Sequence, residues 1–156
     1  MSSALQQELR QRRPFQSAAH EAVVGLMRTA DLIRRQAAAI VEPHGITLQQ
    51  FNVLRILRGA GDTGLPTLEV AERMIEQTPG VTRLLDRLEA KELVRRQRCP
   101  KDRRQHLCWI SAKGLAVLEK IDAVSTQSAE ESLKGLRPKE RLAFIRLLDA
   151  IRAAHQ

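Results

Sequence analysis

"TPGVTRLLDRLEAKELVRRQRCPKDRRQHLCWIS" spans residues 78–111. It decides the fold because its hydrophobic pattern changes halfway. In the first half Val81, Leu84, Leu85 and Leu88 recur at helical spacing and make one buried stripe. Thr78 is expected to cap this helix, with Pro79 as its first residue. In the second half, two short apolar-bearing segments, "ELVRRQR" and "QHLCWIS", flank "CPKD". That arrangement predicts a β-hairpin with a polar tip containing a proline.

Reading outward towards the N-terminus, "TLEVAERM" (67–74) is a short helix with Thr67 expected as its cap, and "IEQ" is a brief turn. Two short helices, a tight turn and a hairpin, in that order, make a winged helix-turn-helix. Before them lies "GAGDTGLP", whose three glycines read as a loop. "TLQQ" (47–50) is a capping box that starts a central helix through "FNVLRIL". Farther out, apolar residues at steps of three and four predict one long helix over 15–41, opened by Pro14 and stopped by "EPHG". Residues 1–13 are expected to be a flexible arm. Towards the C-terminus, Ser111 starts one helix and Pro138 the last. The fold class is therefore mainly α, with a two-stranded wing.

Charge supplies the functional argument. The 156 residues carry 26 Lys and Arg against 18 Asp and Glu, a net charge of +8. Between positions 78 and 104 lie nine cations and four acids, so five of those eight charges fall in 27 residues. Such concentration is the footprint of a surface that reads a nucleic acid. The second helix of the pair would enter the major groove. Its stripe leaves Thr82, Arg83 and Asp86 opposite the core, with Arg87 beside them. Arg83 can hold guanine with two parallel hydrogen bonds, and Thr82 can meet a thymine methyl or a phosphate. Gly80 permits close approach of the backbone, and free N–H groups near Thr78 favour a phosphate. The hairpin tip would lie along the adjoining minor groove, where arginine gains from the negative potential. Of Arg95 and Arg96, one is expected to pair with Asp86 or Glu89 and anchor the hairpin.

These residues resemble the multiple-antibiotic-resistance regulator (MarR) family of winged-helix transcription factors. "LVRRQRCPKDRRQHLCWISAKG" carries the family's Pro-x-Asp-Arg-Arg tip and the glycine after the return strand. "VTRLLDRLEAK" matches its recognition helix and "ITLQQFNVLRIL" the start of its central helix. The resemblance covers nearly the whole chain. It implies a homodimer paired through the first and last helices, so residues 14–44 and 112–156 would form a dimerisation region around a DNA-binding region at 45–111. It implies that Thr82 and Arg83 read bases, that Arg103 or Arg104 enters the minor groove beside Lys101, and that Asp102 holds the wing arginines. The implied function is a sequence-specific regulator, a repressor on a pseudo-palindromic operator in double-stranded DNA, released by a small-molecule effector. His20, Met27 and Arg28 are candidates for an effector pocket, against ordinary dimer packing. Three positions depart from the pattern: Glu92 replaces a customary glycine, Arg137 a customary Ser or Thr cap, and Trp109 a commonly polar residue.

Other chemistries find little support. No paired carboxylates, nucleophile–base motif or glycine-rich phosphate loop appears, so an enzyme is not expected. Four scattered histidines and two cysteines give no zinc-type spacing, and no metal or cofactor is expected. Cys108 reads as a small core residue. Cys99 lies among cations that favour a thiolate, which leaves a redox-responsive regulator open. So does a winged-helix protein–protein interaction module that has lost DNA binding. No apolar run approaches the roughly 20 residues of a membrane span, the first residues lack a signal core, and a cytoplasmic location is expected.

Overall fold

The computed structural model describes residues 3–102 and 104–155. The elements run α1 (Ala4–Glu8), α2 (Ala18–Val41), α3 (Leu48–Ala60), β1 (Leu65–Pro66), α4 (Thr67–Arg73), α5 (Val81–Ala90), β2 (Val94–Arg98), β3 (His106–Ile110), α6 (Ala112–Ser132) and α7 (Pro138–Ala153). The chain is mainly helical, with a small antiparallel sheet of order β1-β3-β2.

The core forms where apolar faces of α3, α4, α5 and α6 converge with the sheet. Val53, Leu54 and Leu57 of α3, Val70 of α4, Leu85 and Leu88 of α5, Cys108 of β3, and Leu118 and Ile121 of α6 have no exposed surface. The four stripe residues of α5 are all buried. The capping box of α3 is complete: Thr47 Oγ1 accepts from Gln50 N–H at 3.2 Å, and Gln50 Oε1 accepts from Thr47 N–H at 3.1 Å. Ser111 caps α6 by accepting from Gly114 N–H at 3.0 Å. At the start of α7, Glu140 takes the capping load instead of a Ser or Thr, accepting from the backbone N–H of Arg137 at 2.7 Å and pairing with its guanidinium. Those bonds hold the Glu140 carboxyl below the usual carboxylate range.

Several boundaries differ from those expected. The long helix starts at Ala18, not near Pro14, because Ser17 supplies a side-chain cap that accepts from His20 N–H at 3.1 Å. Within the stretch expected as an arm, residues 4–8 form a short helix capped by Ser3. That helix rests on α2, with Leu5 against Gly25 and Glu8 paired to Arg28 at 2.8 Å. Thr67 does not cap α4: it is the first helical residue, and its hydroxyl lies 3.8 Å from Cys108 Sγ. The cause is β1, a third strand in the stretch expected to be loop, which pairs Leu65 with Cys108 and Pro66 with Leu107. An edge strand tolerates proline because its missing N–H points away from the ladder. Thr78 does not cap α5 either; the cap is Gly80, and Pro79 lies outside the helix.

Candidate nucleic-acid interface

The recognition helix and the wing are joined by a helix end with an unusual residue. Lys91 ends α5, Glu92 takes φ 61°, and the chain reverses into β2. This left-handed conformation, which glycine adopts without a Cβ penalty, is here forced on a glutamate. The N–H of Glu92 donates to Glu89 O at 2.8 Å and that of Leu93 to Leu88 O at 2.9 Å, so the helix closes as a glycine-ended one would. The departure from the family pattern therefore changes the residue and not the turn.

β2 and β3 run in register from Val94↔Ile110 to Arg98↔His106. Strand alternation sends Arg95 and Arg96 to opposite faces. Arg95 lies over the Trp109 ring, 4.7 Å from its centroid. Trp109 in turn donates from Nε1 to Asp62 O at 3.0 Å and packs against Gly64, where a Cβ would sit 2.4 Å from the ring. On the other face Arg96 reaches α5. Its Nη2 donates to Asp86 Oδ1 and to Glu89 Oε2, both at 2.6 Å, and its Nε to Glu89 Oε2 at 2.9 Å. Burial opposes its charge, but the bonds and charges of Glu89 and Asp86 outweigh burial and raise its pKa. The expected hairpin anchor is thus Arg96, and it holds both acids.

At the tip, Asp102 shapes the turn. Its Oδ1 accepts the backbone N–H of Arg104 at 3.0 Å, and its carbonyl accepts from Gln105 N–H at 3.0 Å. Asp102 therefore positions the backbone of Arg104 rather than gripping its guanidinium. Arg103, the other expected groove reader, lies outside the described residues.

Thr82, Arg83 and Arg87 on α5 and Lys101, Asp102 and Arg104 on the wing are all exposed. Thr78 and Gly80 are half-buried before α5, where Thr78 Oγ1 accepts from Gly80 N–H at 3.4 Å. The first helical bond runs from Leu84 N–H to Gly80 O. The N–H groups at the helix start accordingly belong to Val81, Thr82 and Arg83, three residues beyond Thr78.

Ion pairing is denser away from this surface, although Arg10, Arg12, Arg13, Arg55 and Arg146 also hold no carboxylate among the described residues. Arg28, Arg34, Arg35, Arg58, Arg73, Arg141 and Arg152 each hold a carboxylate. Arg83, Arg87, Arg98, Lys101 and Arg104 hold none among the described residues. Arg98 was not singled out from the sequence: strand alternation puts it on the same face as Val94 and Arg96, yet it stands exposed. Lys91, by contrast, is used internally: its Nζ donates to Gly45 O at 2.5 Å.

The three effector candidates do not come together. His20 stacks edge-on against Phe15 at 5.5 Å, Arg28 pairs with Glu8, and Met27 is exposed. His20 lines an open cleft of about 400 Å³ with Arg12, Arg13 and Phe15, and a more enclosed one of about 120 Å³ lies between α2, α3 and α6, lined by Ile33, Ile40, Val41, Phe51, Ser125, Ser128 and their small neighbours. Helical periodicity could have found its walls, but not their convergence.

Cys108 is fully buried, and burial pushes its thiol pKa up, against the contact with Thr67 and the charge of Arg96. Cys99 is half-exposed, and its N–H donates to Gln105 O at 2.9 Å. Cys108 pairs with Arg96, three residues from Cys99 along the ladder. That offset is roughly 10 Å, beyond the reach of a disulfide. Among the described residues, no helix is long and apolar enough to cross a membrane.

Comparison with known proteins agrees with this geometry. The sequence profile of the MarR family matches residues 46–106, which hold α3 through the start of β3. The chain is 34% identical to a MarR transcription factor from Planctomyces limnophilus whose crystal structure superposes with a TM-score of 0.68, covering 87% of this chain and 98% of that one. It is 30% identical over 105 residues to the HTH-type transcriptional regulator YkoM of Bacillus subtilis (strain 168), covering 67% of each. The fold also matches that of Sco3205, a MarR family transcriptional regulator from Streptomyces coelicolor solved in complex with DNA, with a TM-score of 0.81 at 18% identity over 94% of this chain and 93% of that one. A winged helix with an unpaired basic face, matched in sequence and fold by these regulators, places this chain in the MarR family of DNA-binding transcriptional regulators.

Proposed function

We propose that the chain acts as a homodimeric repressor on a pseudo-palindromic operator, in the cytoplasm. One observation carries the DNA-reading assignment: Arg83, Arg87, Arg98, Lys101 and Arg104 stand exposed without a carboxylate, clustered within residues 83–104, while eight arginines outside that stretch are paired. In this reading Arg83 and Thr82 contact base edges, with Arg87 beside them, and Arg104, Arg103 and Lys101 follow the minor groove. Asp102 sets the tip, and Gly80 and Thr78 allow the helix start to approach a phosphate.

Dimerisation is supported by apolar surface that the single chain leaves uncovered. Val23 and Met27 on α2 and Leu142, Ile145 and Ile151 on α7 are about half exposed or more, and α7 buries no residue fully. A two-fold dimer then places its half-sites about one DNA turn apart, roughly 10 base pairs. An effector fits the cleft walled by Phe51, Ile33 and Ser128 better than the surface around His20, Met27 and Arg28.

The test starts with selection of bound genomic fragments and titration of the recovered duplex. Arg83→Ala and Arg104→Ala should each weaken binding by about 1–3 kcal/mol. An Arg104→Ala affinity within about twofold of the parent would remove the wing from the interface. A protein–protein module would retain no fragment above background. Small molecules are then screened for release of the duplex.

A further inference from the structure

The exposed face of α5 is not uniformly basic. Asp86 and Glu89 stand on it beside Arg83 and Arg87, so these four side chains alone carry no net charge. Two carboxylates turned towards a phosphate backbone would oppose the approach that the arginines favour. The fifth group is Arg96. Its side chain is only 17% exposed, while those of Asp86 and Glu89 are 54% and 42% exposed. The cation thus lies behind the acids, towards the protein, and all three of its bonds go to them. From there it is badly placed to meet a phosphate and well placed to cancel the acids.

We propose that Arg96 is a positioning residue for DNA binding, masking Asp86 and Glu89 from the phosphates and tying the wing to the recognition helix through the same two carboxylates. The proposal rests on the reading of α5 as the DNA-facing helix. Asp86 and Glu89 are three residues apart and share one helix face, so a single forked guanidinium from β2 can hold both. Arg96 also sits opposite Cys108 in the ladder, so the strand bearing the bridge is fixed to the core strand. With Asp86 engaged, its carboxylate is withdrawn from reading a cytosine amino group. The base-reading chemistry of this face is left to Arg83 and Thr82.

The test measures binding of the full-length protein to the selected duplex at two salt concentrations. Arg96→Gln should weaken binding about tenfold at low salt, with the helical circular dichroism retained. Two readouts separate masking from simple support. The defect should shrink at higher salt, because repulsion between exposed acids and phosphates is screened over a Debye length of about 10 Å at 0.1 M. It should also largely disappear when Asp86→Asn and Glu89→Gln are added to Arg96→Gln, returning affinity to within about threefold of the parent. A defect that persists in the triple variant and at high salt would overturn the proposal, and so would an Arg96→Gln variant that binds like the parent. Arg83→Ala is the control. If it too binds like the parent, the reading of α5 as the DNA face fails and takes the proposal with it; if it binds weakly while Arg96→Gln does not, only the proposal fails.

Discussion

At the scale of single residues, two positions hold the junction between recognition helix, wing and α6. Glu92 occupies a left-handed turn that costs a non-glycine residue about 1–2 kcal/mol, part of which glycine would return as unfolded-state entropy. Its ion pair with Lys113 is highly exposed and worth little. Glu92→Gly should therefore stabilise the protein by about 0.5–1 kcal/mol, read as a higher denaturant midpoint at unchanged slope. Gly114 is the opposite case. A Cβ there would lie 2.3 Å from Leu93 O and 2.8 Å from Ile110 Cγ1. The first turn of α6 packs on the turn that Glu92 opens, and Ser111 Oγ closes the contact by donating to Glu92 O at 2.7 Å. Gly114→Ala should cost about 1–3 kcal/mol by overpacking, seen as a lower melting temperature. If Gly114→Ala is neutral, α6 does not sit this close to the turn.

At the scale of elements, the wing is held from both faces. Arg96 fixes one face to α5, and the layered contact of Arg95, Trp109 and Gly64 fixes the other to the loop after α3. The indole N–H completes that layer through Asp62 O. Trp109→Phe keeps a ring for Arg95 but removes this bond together with the part of the indole that packs against Gly64. It should cost about 1 kcal/mol in chemical denaturation. A Trp109→Phe variant as stable as the parent would show that stacking alone holds this side of the wing. The hairpin itself was legible as alternating apolar residues around a proline tip, and the buried stripe of α5 was legible as a run of leucines. The start of α5 was not. Thr78 has the chemistry of a cap, but the turn through Pro79 and Gly80 delays the first helical bond until Leu84.

For the whole molecule, the buried core and the charged face make different demands. Cys108 sits at the centre of the core with its thiol pKa raised by burial. The folded state keeps that proton while an unfolded thiol loses it above its ordinary value of about 9. The unfolded state thus binds fewer protons there, and stability falls as pH rises through this range. Between pH 8 and 10 the parent should lose stability more steeply than Cys108→Ala, each measured against its own value at pH 7. Equal slopes would mean that the thiol titrates freely in the folded protein.

The order of the longer helices and the wing, the capping box of α3, the core stripe of α5 and the concentration of charge over residues 78–104 were determined by the sequence itself. They depend on neighbours within one or two turns, which periodicity reports directly. Tertiary structure decided the rest. Leu65 and Pro66 become a strand only because β3 lies beside them. Arg96 and Arg98 belong to one strand, yet only packing against α5 gives Arg96 two acids and leaves Arg98 none. The cleft between α2, α3 and α6 is lined by none of the three effector candidates, and its other walls come from α3 and α6, far away in the chain. Local pattern fixes what each element is, and which charge is neutralised and which is left for DNA depends on contacts that only the folded chain makes.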